Sequence, residues 1–227
     1  MKNYLVPTVI KKTSDGERAY DLDSRMLEDR IIIARGEVED GMASIITEEL
    51  LYLNDADPEA PIHLYLMGPG GSVHAGLAVI NTMKTIKAPV YTYCMGYCAS
   101  MDAAIFSAGD KRFLLPDSQI MVHQVASGAE GKVHDLVVNL NYDKRLNNLL
   151  LAMIARNCKR LTQKEYEIIK NAIDEMVDDD ENAVLKLDAK LAKKLSDFKK
   201  EVDRDVWLMP KSAIKFGIAD EIVKEQK

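Results

Sequence analysis

From residue 30 to residue 125, short continuous apolar runs alternate with apolar positions spaced three or four apart. Arg30-Ile31-Ile32-Ile33-Ala34 is a β-branched run, and Met42, Ile46, Leu50 and Leu53 then form a helical stripe. Pro61 to Met67 reads as a buried strand that ends at the glycine turn Gly68-Pro69-Gly70-Gly71, and a helix follows through Leu77, Ile80 and Met83. Pro89 to Met95 predicts the next strand, Ala99 to Ala108 the next helix, and Arg112 to Leu115 and Gln119 to His123 two further strands. Repeated β-α-β units of this kind predict an α/β fold with a mostly parallel sheet and helices packed on it. Active groups in such sheets gather beyond the carboxyl ends of the strands.

From about residue 134 the period becomes helical throughout. Leu146, Leu150 and Met153 mark one face, and Thr162 with Glu165 forms a candidate capping box for a helix carrying Tyr166, Ile169, Ile173 and Met176. Asp178-Asp179-Asp180-Glu181 reads as a solvated connection. Val184, Leu187, Leu191, Leu195 and Phe198 recur at helical spacing in a Lys-rich segment. Its mixed charges fit a protein-facing amphipathic helix better than a membrane-surface one. Pro210 to Phe216 predicts a last short helix stopped by Gly217, and Ile218 to Val223 a closing apolar run. No tandem repeat or low-complexity linker interrupts the chain, so one domain over 1–227 is expected.

Composition adds bounds to this picture. The 227 residues are 47% hydrophobic and carry a net charge of −6, with basic and acidic residues interspersed. No cationic patch for nucleic acid is readable. The N-terminal residues lack a secretory h-region, and no run approaches the roughly 18 apolar residues of a membrane span. Cys94, Cys98 and Cys158 have no second pair or neighbouring histidine to complete a zinc set. Buried, reduced thiols in a cytoplasmic protein without metal or other cofactor are the expectation.

Three residues could carry chemistry, each with an ordinary alternative. Ser100, between a strand end and a helix start, could be a nucleophile beside unpaired helix N–H groups or simply an N-cap. It does not lie in a Gly-x-Ser-x-Gly elbow. His123, closing an apolar run, could be a general base or a satisfied core histidine. Asp205 could orient that histidine, although spacing alone does not select it among the aspartates. Gly70 and Gly71 could bring backbone N–H groups up to a bound carbonyl or make a plain turn, and no Gly-Lys-Ser/Thr follows to make a phosphate loop.

A resemblance joins these signals. Leu5-Val6-Pro7-Thr8-Val9-Ile10, Gly16-Glu17-Arg18-Ala19-Tyr20-Asp21, Ser24 to Ile32 and Gly36-Glu37-Val38-Glu39-Asp40 are similar to the start of mature ClpP, the proteolytic subunit of Clp proteases. The likeness continues through Gly68-Pro69-Gly70-Gly71, Cys94-Met95-Gly96, Ala99-Ser100-Met101, Leu115-Pro116-Asp117-Ser118 and His123-Gln124, and resumes from Asp203-Arg204-Asp205 to the end. The resemblance implies a ClpP/crotonase-like fold and a serine endopeptidase. Ser100 would be its nucleophile, His123 its base, Asp205 its orienting acid, and Gly71 and Met101 would supply the oxyanion-hole amides. Asp203 and Arg204 match a pair that senses contact between rings.

The same resemblance implies two stacked seven-membered rings enclosing the active sites, with an axial segment at residues 1–20 and a helical handle at about 125–200. An AAA+ unfoldase such as ClpX, ClpA or ClpC would feed unfolded chains in. Its docking pocket would draw on Leu51, Tyr52, Tyr65, Tyr93, Met95, Phe113, Leu115 and Val223, positions that core packing would equally explain.

Two departures stand against the family pattern. Asp102 occupies the position where glycine usually follows the Ser-Met pair, and about 160–198 is longer than in typical members. Both leave open a catalytically silent subunit that mixes with an active ClpP. A crotonase-type acyl-coenzyme A enzyme, which needs no Ser100, is a further alternative.

Overall fold

A computed structural model of the chain describes residues 6–13, 16–128, 130–176 and 185–224. Leu5 of the N-terminal motif, the acidic run Asp178 to Glu181 and Val184 lie outside the described residues. The chain opens with β1 (Thr8–Thr13) and β2 (Gly16–Asp21), an antiparallel hairpin standing apart from the main sheet. Helix α1 (Leu22–Glu28) follows, capped by Asp21, whose carboxylate accepts from the Ser24 amide. It buries no residue, which is why no apolar stripe marks it in the sequence.

The expected alternation then runs through β3 (Ile31–Val38), α2 (Asp40–Ala56), β4 (Ile62–Gly71), α3 (Val73–Thr85), β5 (Val90–Ala99), α4 (Met101–Ser107), β6 (Lys111–Leu114) and β7 (Gln119–Val122). One expectation is corrected. Gly68 to Gly71 do not turn the chain after Met67; they continue β4, pairing across a bulge with Glu37 and Val38 of β3. Likewise β5 extends past Met95 to Ala99, so it ends directly at Ser100.

Strands β3, β4, β5 and β6 are parallel neighbours in that order. Strand β5 is shared: its first half pairs with β6 and its last three residues pair with β7. The helix-covered face presents Leu64, Leu66, Val90, Cys94 and Leu114, all fully buried. Thr92 is polar on that face and is satisfied by donating to the Phe106 carbonyl at 2.8 Å.

Beyond the sheet, α5 (Val133–Asn157) carries α6 (Gln163–Asp174) and α7 (Ala189–Glu201). Thr162 and Glu165 form the capping box. Tyr166, Ile169 and Ile173 of α6 and Leu191, Leu195 and Phe198 of α7 join the same core as the sheet. The Lys-rich helix is therefore protein-facing. Lys194 clasps Glu165 at 2.6 Å, and that contact, with the Thr162 amide, lowers the Glu165 carboxyl to about 2.

The chain closes with β8 (Val206–Leu208), α8 (Pro210–Phe216) and β9 (Glu221–Ile222). Gly217 ends α8 in the left-handed conformation at φ 90°. Strand β9 adds to β6, and β8 runs antiparallel beside β7. Among the described residues, no helix is long and apolar enough to cross a membrane.

Candidate active site

Strand register assembles the site. Strand β7 lies parallel to the end of β5, with Ala99 opposite Met121, and the Ser100 amide donates to the Met121 carbonyl at 2.9 Å. Two residues beyond Met121, His123 comes alongside Ser100, and its Nε2 lies 2.7 Å from Ser100 Oγ. Strand β8 pairs antiparallel with β7, Val122 facing Val206. One step further along that ladder sets Asp205 opposite His123, with Asp205 Oδ1 3.4 Å from Nδ1. The Asp205 side chain is 63% exposed in the single chain.

Ser100 has φ 54° and ψ −118°, a conformation costly for a residue with a side chain. As the residue before α4 it caps nothing with its side chain, so the hydroxyl is left to face His123. The N-cap alternative is thereby removed. Glycines make the surrounding fit possible. A Cβ on Gly70 (φ 90°) would come within 2.7 Å of the Met101 amide nitrogen and of Ser100 Cβ, and one on Gly71 would strike the Val38 carbonyl. Gly70→Ala is expected to cost more than about 1 kcal/mol in backbone strain alone. The displacement it forces on Ser100 should lengthen the Ser100–His123 contact, and the strain should be read as a lower urea midpoint.

Ser100, Met101, Gly71 and His123 line one cleft of about 190 Å³, whose remaining wall is largely apolar, with Val73, Ala104, Leu150 and Ile154. Sequence reasoning missed Asn147, on α5. Its side-chain oxygen accepts from the Val125 amide at 3.0 Å and its nitrogen donates to Gln124 at 2.9 Å, while Gln124 donates to Asp203 at 3.0 Å. This chain ties the segment after His123 to α5 and to the residues before Asp205. Asn147 interrupts an apolar helix face, which is its one sequence signal. Arg204 is exposed beside Asp203.

Asp102 lies directly after Met101 and is 1% exposed. Neither carboxyl oxygen has a hydrogen-bond partner among the described residues. The first turn of α4 favours an anion by about 0.3–1 kcal/mol. Burying an unpaired carboxylate costs several kcal/mol. Burial wins and raises the carboxyl to about 7, the nearby Gly70 amide opposing it only in part.

The eight residues expected of a docking pocket are all exposed or half-buried in the single chain. Tyr65, Tyr93 and Phe113 are in register across β4, β5 and β6, on the face opposite Leu64 and Leu114, with ring centroids 4.4 and 4.8 Å apart. Met95 and Leu115 are half-buried, and Val223 sits at the surface. Leu51 and Tyr52 stand exposed on α2. The three cysteines are buried and free.

The sequence matches the family described as Clp protease over residues 14–177 and again over 152–226. Those two stretches take in nearly the whole chain, the strand-end serine, the histidine and β8 included. The mostly parallel sheet and the helices packed with it agree with that match, and the chain belongs to the Clp protease family.

Proposed function

We propose that the protein is a serine endopeptidase that hydrolyses unfolded polypeptides to short peptides. The observation that carries this reading is the 2.7 Å contact between Ser100 Oγ and His123 Nε2 in a cleft also lined by Gly71 and Met101. Ser100 Oγ attacks the scissile carbonyl carbon as His123 Nε2 takes the hydroxyl proton. The amides of Gly71 and Met101 hold the oxygen that becomes negative. Collapse of the tetrahedral intermediate breaks the C–N bond, and His123 returns its proton to the leaving amine. Water then attacks the acyl carbon as its proton passes to His123, and His123 gives that proton back to Ser100 Oγ as the acyl–oxygen bond breaks. Asp205 orients the imidazole and stabilises its protonated form; at 3.4 Å it is within ion-pair reach.

Family membership supports an oligomer working with an ATP-driven unfoldase, and we assign the handle of α5, α6 and α7 to contact between two seven-membered rings. Asp203 and Arg204 would transmit that contact, since Asp203 is bonded to Gln124 beside His123. Leu51 and Tyr52 of one copy, set against the aromatic row Tyr65, Tyr93 and Phe113 of the next, would receive apolar loops of the unfoldase, with Met95, Leu115 and Val223 at the edges. Residues 1–20 would line the axial entrance, and the cytoplasm is the compartment we assign.

A second reading, a silent subunit that partners an active ClpP, is favoured by one observation, the carboxyl of Asp102 buried beside the cleft. The acyl-coenzyme A alternative leaves the Ser100–His123 contact without a role. Labelling of the purified protein with a fluorophosphonate probe, beside its mass by light scattering, separates these readings. Covalent labelling at Ser100 in a particle of fourteen subunits is expected. An assembled particle that does not react would overturn the endopeptidase assignment.

A further inference from the structure

Asp102 is a buried acid whose carboxyl oxygens make no hydrogen bond among the described residues, set between the serine-bearing helix and the glycine segment of β4. A Cβ placed on Gly68 would collide at once with Asp102 Oδ2 and with the Gly36 carbonyl oxygen, so both oxygens converge on the space that Gly68 leaves open. Two acceptors sharing a dry space repel one another unless one carries a proton. An un-ionised carboxyl can donate to that carbonyl; a carboxylate cannot.

Beyond the Gly70 amide, the surroundings offer an anion little. Strands β3 and β4 present Gly36, Gly68 and Gly70 to it. Strand β5 presents the Cys94 and Cys98 thiols, the titratable groups that sense the Asp102 charge, and burial drives the Cys98 thiol well up. Helix α3 meets α4 through Gly76, which receives the Met101 side chain. Helix α4 also meets α5 and β7, whose buried side chains include Leu150, Leu151, Ile154, Ile120 and Val122. No charged side chain contributes to the shift of Asp102.

We infer that Asp102 is a positioning residue that works un-ionised, its proton bridging to the Gly36 carbonyl and fixing the glycine segment of β4 against the Ser100–Met101 turn. Gly70 and Gly71 lie two and three residues past Gly68, so the bridge sets the spacing between the Gly71 and Met101 amides. When Asp102 ionises, its proton passes to water and the bridge is lost. The charge that remains stands next to the Met101 amide and opposes the negative charge on the reacting oxygen. Activity therefore falls on the alkaline side. This inference rests on the peptidase reading, and its test includes one arm that does not.

The experiment compares kcat/KM for a fluorogenic peptide between pH 5.5 and pH 9 in the natural protein and in Asp102→Asn, whose amide can donate to Gly36 at every pH. The natural protein should lose about tenfold per pH unit above the ionisation, whereas the ratio between pH 6.5 and pH 8.5 in D102N should stay within about twofold. Any acid limb should be common to both. An alkaline limb of equal steepness in D102N would overturn the inference. Infrared difference spectra between pH 6 and pH 9 of the assembled Ser100→Ala protein form the second arm. They should contain the carbonyl band of an un-ionised carboxylic acid that disappears with rising pH and is missing when D102N is added. Absence of that band at pH 6 would overturn the inference whether or not Ser100 is the nucleophile.

Discussion

Ser100→Ala should lower kcat for peptide hydrolysis by about 10⁴- to 10⁶-fold and abolish fluorophosphonate labelling, while the particle keeps its size by light scattering. The alanine removes the attacking atom. It leaves the cleft, the Gly71 and Met101 amides and the strand ladders in place, so substrate binding should survive. The residual rate is what binding and the two amides supply alone. Steady-state kinetics alongside probe labelling check the outcome. Labelling of the variant at its natural level would place the nucleophile on another residue.

The largest effect on stability is expected at Arg112. Its guanidinium is 7% exposed and meets Asp220 through two nitrogens, at 2.8 Å and 2.6 Å, while its third nitrogen bonds the carbonyls of Asn157 and Gly217. One side chain thus fastens β6 to the end of α5, to the cap of α8 and to the turn that leads into β9. Arg112→Met leaves Asp220 and two carbonyls without these donors. Truncating one partner of a fully buried pair costs about 3–5 kcal/mol. Asp220 is 39% exposed and can recover some hydration, so a loss of about 2–4 kcal/mol is expected, read as a lower urea midpoint at unchanged slope.

The sign of the pH effect follows from Asp220. Burial raises its carboxyl, but the bonds and charge of Arg112 outweigh burial, and the net position lies below 3.8. The stabilisation is complete above the unfolded value and is lost as pH falls through the lower folded one. R112M should therefore show a shallower decline in stability on acidification than the natural protein. An equal decline would place the acid sensitivity on other carboxylates.

The β-α-β alternation was legible because the strands bury aliphatic side chains on the helix-covered face and carry half-buried aromatic rings on the other, so Ile62 to Met67 and Val90 to Met95 read as nearly continuous apolar runs. What buries nothing left no trace. Helix α1 has no core residue, and β1 and β2 pair only with one another. The glycine segment read as a turn because glycine is the usual turn residue. Here its missing side chains serve close approach, to the Ser100 turn at Gly70 and to β3 at Gly71. The chemistry of the site was legible as residue types and family likeness, and its geometry was not. Ser100 and His123 are 23 positions apart, and only the pairing of β5 with β7 brings them together. Asn147 stayed hidden because a polar residue on a long helix reads as solvent-facing until the loop it bonds is known.

The antiparallel seat of β8 beside β7 has a consequence for the life history of the chain. The hydroxyl and imidazole come from neighbouring segments that can fold together early, whereas the carboxylate is delivered across the whole helical outgrowth by a three-residue strand. A growing polypeptide that has emerged only as far as α5 would thus own a blunt blade. On the peptidase reading proposed above, its cutting edge is ground last, after most of the protomer has taken shape, so a newborn copy would have little opportunity to digest the chains emerging around it.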